Sequence, residues 1–288
     1  MRWQGERESE NVEDRRGLST GAMVGGGIGT LIIILLGLFL GIDPQPLLRV
    51  MQGPGGPAGG GGAQQKQRDL TPEEIEQGKF VKTTLAMTED VWNEQFAKMG
   101  RKYQEPTLVL FSDRVSTQGC GGASSAVGPF YCPGDQKVYI DLTFYDELKR
   151  KFKAPGEFAQ AYVVAHEIGH HVQNLLGISE KISLMQRQAD KAEANRLSVM
   201  LELQADFFAG VWAHHIEKKR HVLESGDIES GLRAATAIGD DALQKQAQGY
   251  VVPDSFTHGT SAQRVKWFSK GLQTGDVNQG DTFNAPDL

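Results

Sequence analysis

The stretch Val163 to Gly177, VVAHEIGHHVQNLLG, decides how this chain is read. It has no proline. Apolar residues recur at Val163, Val164, Ile168, Val172, Leu175 and Leu176, and Gly177 supplies a stop, so the pattern predicts a helix. Inside it stands His166-Glu167-Ile168-Gly169-His170, an H-E-x-x-H motif. Residues four apart share a helix face, so His166 and His170 can aim two imidazole nitrogens at one point, as a tetrahedral zinc requires. Glu167 is one residue further round, close enough to act as base on a metal-activated water without binding the metal. The opposing reading is a buried helix that happens to carry two histidines. A polar cluster in an apolar helix is costly unless satisfied, and a zinc ion would satisfy it. Gly169 costs about 1 kcal/mol of helix stability relative to Ala and is tolerable where another backbone comes close.

Two imidazoles do not complete a zinc site, which usually has three protein ligands. A third histidine in H-E-x-x-H-x-x-G-x-x-H is excluded, because Gln173 and Leu176 stand at the corresponding positions. A glutamate from a second helix is the other common solution. The strongly helical segment 196–217, RLSVMLELQADFFAGVWAHHIE, holds Glu202-Leu203-Gln204-Ala205-Asp206, an E-x-x-x-D. Glu202 is the expected third metal ligand. Asp206, on the same face, is the expected acceptor for the free N–H of a ligand histidine. An ordinary solvated charge at Glu202 fits poorly beside Leu201, Leu203, Ala205, Phe207 and Phe208.

HEIGHHVQ, LELQADFFAGVWA, FTHGTSAQRVKWF and the opening MRWQGERESENVEDRR together resemble the neutral zinc metallopeptidase family of bacteria. The resemblance spans nearly the whole chain and implies zinc and a membrane anchor more directly than any substrate. Another membrane-associated family with the same ligand pattern has a similar downstream histidine with an arginine six residues on. That likeness implies that His258 donates to a tetrahedral oxyanion and that Arg264 pairs with a carboxylate at the site. The alternative is a loop that merely caps the helix after it. Tyr250 is a weaker oxyanion candidate. His171, about 100° round from His170, is not expected to be a ligand; His214, His215 and His221 read as surface residues.

Away from these motifs the chain has 288 residues and a net charge of −6, enough for one sizeable domain plus appendages, and no basic excess for nucleic acid. Residues 1–20 are polar and charged. Val24 to Ile42 is a run of nineteen uncharged residues, long enough to span a bilayer, and no A-x-A-type cleavage site follows. The expectation is a single-span anchor within 21–43. Arg2, Arg7, Arg15 and Arg16 precede it and only Arg49 follows closely, which puts the N-terminus in the cytoplasm and the domain outside, at a bacterial inner membrane. Residues 44–68 read as a Gly/Pro/Gln linker and 69–288 as the catalytic domain.

Within the domain, Thr71-Pro72-Glu73-Glu74 reads as a helix start, with a second helix over 88–99. Strands are expected at 107–111 and 137–142, the latter a candidate cleft-edge strand for a peptide backbone. Further helices are expected over 143–153, 157–176, 180–218, 227–247 and 260–272. Cys120 and Cys132 flank a Gly/Ser-rich loop. Outside the cytoplasm they are expected to form a disulfide stabilising by about 3 kcal/mol in the chain-entropy model; a pair of free thiols is the alternative. The fold class is α+β, mostly α, zincin-like, with a small sheet before the metal helix. The expected protein is a membrane-anchored zinc metallopeptidase, a hydrolase acting as an endopeptidase on proteins or peptides. The alternative is a non-catalytic zinc-bound scaffold for a peptide or membrane partner.

Overall fold

The computed structural model describes residues 1–17 and 68–286. Residues Met1–Arg16 and those from Leu70 onward form one compact unit. The expected anchor at 24–42 and nearly all of the linker lie outside the described residues. Among the described residues no helix is long and apolar enough to cross a membrane.

A four-stranded sheet lies on one side of the core. Its strands are β1 (Val12–Asp14), β2 (Thr107–Phe111), β5 (Phe130–Cys132) and β6 (Lys137–Asp141), in the order β1-β2-β6-β5. The first two pairings are parallel and β5 is antiparallel to β6. A separate hairpin joins β3 (Arg114–Ser116) to β4 (Gly122–Ser124). Cys120 and Cys132 are bonded, tying the end of β5 to the hairpin loop. The expected cleft-edge strand at 137–142 is an interior strand. The edge on that side is β5, a three-residue strand too short to show alternation in sequence.

Residues 1–16 are not separate from the domain expected to begin at 69. β1 sits in register with β2, Val12 opposite Leu108 and Asp14 opposite Leu110. Met1 and Trp3 are buried in the main core. The N-terminal ammonium lies 3.4 Å from Glu157 and 3.2 Å from both Glu224 and Asp227, and the Trp3 indole donates to Glu157 at 2.9 Å. The N-terminal arm is thus fastened to the first residue of the helix that carries His166 and His170.

Among the described residues the helices are α1 (Pro72–Lys98), α2 (Thr143–Arg150), α3 (Glu157–Leu175), α4 (Ile178–Gln186), α5 (Lys191–Arg220), α6 (Asp227–Ala237), α7 (Asp240–Gln248) and α8 (Ser261–Thr274). Thr71 caps α1 in a reciprocal capping box with Glu74. The helix runs unbroken where two were expected, because nothing between them stops it. Conversely, 180–218 divides at Asp190, whose carboxylate caps α5 by accepting from the Glu193 N–H at 2.9 Å. The 227–247 stretch divides at Gly239, the N-cap of α7.

The core is built around α3, whose buried residues run almost all round its circumference. Two helix contacts set its geometry. A Cβ on Gly169 would lie 2.8 Å from the Ala205 carbonyl oxygen, so α3 and α5 touch backbone to backbone there. Gly210 and Gly271 do the same for α5 and α8: a Cβ on either would lie 2.1 Å from a carbonyl oxygen of the other helix. These contacts stack the three helices that carry the chemistry.

Candidate active site

His166 and His170 project from α3 toward Glu202 on α5. The His166 Nε2 is 3.1 Å from Glu202 Oε2, and the His170 Nε2 is 3.3 Å from Glu202 Oε1. One donor atom from each of the three residues falls within 4.8 Å of the others. A tetrahedral zinc with bonds of about 2.1 Å separates its donors by roughly 3.4 Å, so the three groups fit the ion.

The outer nitrogens are engaged, which leaves both Nε2 atoms for the metal. His166 Nδ1 is 2.9 Å from Asp206 Oδ1. Asp206 is fully buried and is also held by Arg264, whose Nε donates to Oδ2 at 2.8 Å and whose Nη2 donates to Oδ1 at 3.0 Å. The Tyr162 hydroxyl donates to the same carboxylate. Burial works against charge on Asp206, but Arg264 and His166 outweigh it and hold its pKa below the carboxylate range. Burial likewise opposes ionisation of Glu202, and His170 and His166 overcome it, keeping the carboxylate charged. For His166, burial is outweighed by Asp206 and Glu202, and its pKa is raised to about 10. The same carboxylates attract a divalent cation in place of those protons.

A cavity of about 750 Å³ opens over these residues. Its lining includes Glu167, His258, Arg264 and, from the edge strand, Phe130 and Tyr131. The Glu167 side chain makes no side-chain hydrogen bond among the described residues. His258 Nδ1 is 3.3 Å from Asp240 Oδ1, and Asp240 also accepts from the backbone N–H of Thr257, His258 and Gly259 at 2.7, 2.6 and 3.0 Å. The bond to Asp240 raises the pKa of His258 against the effect of burial, which favours its protonated, donating form. The loop is a capping loop as well: Thr260 caps α8 with Gln263 in a capping box.

This chain belongs to the neutral zinc metallopeptidase family. The family model described as "Putative neutral zinc metallopeptidase" matches residues 1–283. Uncharacterized protein YpfJ of Escherichia coli K12 is 52% identical over 293 aligned residues, covering 98% of this chain and 99% of the relative. Uncharacterized protein Rv2575 of Mycobacterium tuberculosis H37Rv is 44% identical over 220 residues, covering 73% of each. No solved structure matches the chain.

The structure places His166, Glu167, His170, Glu202, His258 and Arg264 round one cavity, with Asp206 bonded to His166. Tyr250 is exposed and does not line the cavity. His171 is fully buried, bonded to the Gln104 carbonyl at 2.7 Å and the Tyr131 hydroxyl at 3.0 Å. His214 and His215 are half-buried rather than surface residues. They reach the carbonyls of Leu272 and Gly275 at 2.8 Å and tie α5 to the end of α8. Sequence reasoning missed Asp240, whose role is visible only once α7 and the His258 loop are packed together. It also missed Gln173, which it weighed only as the residue standing where the longer three-histidine motif has its glycine.

Proposed function

We propose that the protein is a zinc-dependent peptidase. The observation that carries this is the convergence of His166, His170 and Glu202 at one point, with Glu167 facing the same cavity. A zinc ion held by these three would supply Lewis acidity, lowering the pKa of a water and polarising a carbonyl. Glu167 takes the proton from the attacking water and passes it to the leaving amine. His258, held by Asp240, donates to the oxyanion of the tetrahedral intermediate. Arg264 acts at a distance, keeping Asp206 ionised and His166 oriented. The exposed edge of β5 is the surface along which an extended substrate backbone pairs, since Phe130 and Tyr131 border the cavity.

The test is Glu167→Gln. The variant is expected to bind one zinc per chain, as the wild type does, and to cleave a peptide library at least 100-fold more slowly. Equal cleavage by the variant would sink the mechanism. Wild type that binds zinc and holds peptides without cutting them would favour a scaffold.

The membrane arrangement we propose departs from a cytoplasmic N-terminus. β1 and β2 flank the apolar run 24–42 in sequence and pair in one sheet, and a chain crossing a bilayer once between them would leave them on opposite faces. On this proposal residues 1–16 and 70–286 share one side of any membrane that 24–42 enters. The bonded Cys120–Cys132 pair supports the extracytoplasmic side. Cysteines placed at the exposed positions Gln4 and Asp146 are both expected to react with an impermeant maleimide in spheroplasts. Labelling at 146 but not at 4 would refute the shared side.

A further inference from the structure

We propose that Gln173 is a positioning residue for the metal site: it fixes His170 in the tautomer that offers Nε2, and it is itself held by a chain of amides anchored near the C-terminus. The inference rests on His170 being a metal ligand.

The argument runs through donors and acceptors. Gln173 lies three residues after His170 on α3, hence on its face, and is fully buried. Its Oε1 is 2.9 Å from His170 Nδ1. Its Nε2 donates to the Leu201 carbonyl at 2.7 Å and to Gln204 Oε1 at 3.1 Å. A side-chain amide is usually ambiguous between its oxygen and its nitrogen. Here it is not, because a carbonyl only accepts: reversing Gln173 would set its oxygen against Leu201 O. Gln204 is fixed in the same way, since its Nε2 donates to the Gly280 carbonyl at 2.8 Å. The polarity therefore runs one way from Gly280 O through Gln204 and Gln173 to His170. With Oε1 facing it, His170 Nδ1 must carry the proton, and the Nε2 lone pair is left pointing toward Glu202.

Two consequences follow. The two ligand imidazoles are supported unequally: His166 by the ionised Asp206, His170 by a neutral amide. Gln173 also joins both halves of the site, because Leu201 precedes the ligand Glu202 on α5. The segment after α8 braces the same turn, with Thr282 Oγ1 donating to the Met200 carbonyl at 2.7 Å and Phe283 packed on Met200's cluster.

The test measures zinc affinity of the full chain by competition with a chromophoric chelator, together with the visible spectrum of the cobalt-substituted protein. Gln173→Met keeps volume but removes the acceptor; a 10- to 100-fold loss of zinc affinity and an altered cobalt spectrum are expected. Gln173→Glu keeps the acceptor for Nδ1–H and loses the two donated bonds. It is expected to melt lower when metal-free yet hold zinc within about 10-fold of wild type. Wild-type affinity and spectrum in Gln173→Met would overturn the proposal, as would Gln173→Glu binding zinc 100-fold or more weakly than wild type. If Gln173→Met does not fold, Gln173→Glu decides alone. Absence of zinc from the wild type is a different result, because it would remove the metal site itself.

Discussion

Replacing Gly169 by alanine puts the contact between α3 and α5 to a direct test. The new methyl carbon would lie 2.8 Å from the Ala205 oxygen and 3.0 Å from the Ala205 Cα. Both are backbone atoms and cannot rotate away. Ordinary contact begins at 3.4 Å, so the helices must part by about 0.6 Å. Glu202 rides on α5 one turn before Ala205, whereas His166 and His170 ride on α3. Metal–ligand distances tolerate only about 0.2 Å, so the displacement exceeds what the site absorbs. Without metal the two effects on stability partly cancel: Ala is better than Gly in a helix by about 1 kcal/mol, and overpacking costs about 1–3 kcal/mol. The metal-free variant should lose no more than about 2 kcal/mol, while zinc affinity falls 10-fold or more. Denaturant melts of the chelated protein and competition titrations separate the two. Wild-type zinc affinity in Gly169→Ala would refute the reasoning, since it would mean that the helices do not need to touch for Glu202 to reach the metal.

Other perturbations probe the support behind the ligands. Asp206→Asn leaves the buried Arg264 without its carboxylate and should cost about 3–5 kcal/mol in a denaturant melt. Asp206→Asn with Arg264→Met should recover part of that, and a single variant within 1 kcal/mol of wild type would contradict the buried pair. His171 is buried neutral, and burial lowers its pKa from 6.5 to about 4. The unfolded chain therefore binds the extra proton first, so stability is complete above pH 6.5 and falls as the pH drops toward 4, by about 3 kcal/mol in all. His215 shifts in the same direction. The comparison is accordingly made on the metal-free protein against His171→Gln, whose stability should change less between pH 6.5 and 4.5; equal slopes would refute the assignment.

Much of the site was legible because helical spacing is a local property. H-E-x-x-H and E-x-x-x-D each place two side chains on one face from sequence distance alone, and the apolar residues around them say that the face is buried. Gly169 was recognisable as a residue whose cost in the helix needed a reason. Even Gln173 carried a signal, a polar residue one turn from His170 in an apolar helix. Its role, however, depends on Leu201 and Gln204 of another helix.

What the sequence by itself determined is therefore what each helix offers: two imidazoles and a carboxylate on α3, two carboxylates on one face of α5, and two cysteines close enough to bond. The tertiary structure decided everything that depends on which surfaces meet. β1 is three residues long with no alternation to read, and its partner lies more than ninety residues away, so only sheet pairing puts the N-terminus inside the domain. The interior place of β6 and the edge place of β5 follow from strand order, which no single strand encodes. The reach of Glu202 to the histidines depends on two backbones touching at Gly169, and the ionisation of Asp206 depends on Arg264 arriving on α8. Local periodicity fixes what one helix offers, but distances between helices come from packing the whole core.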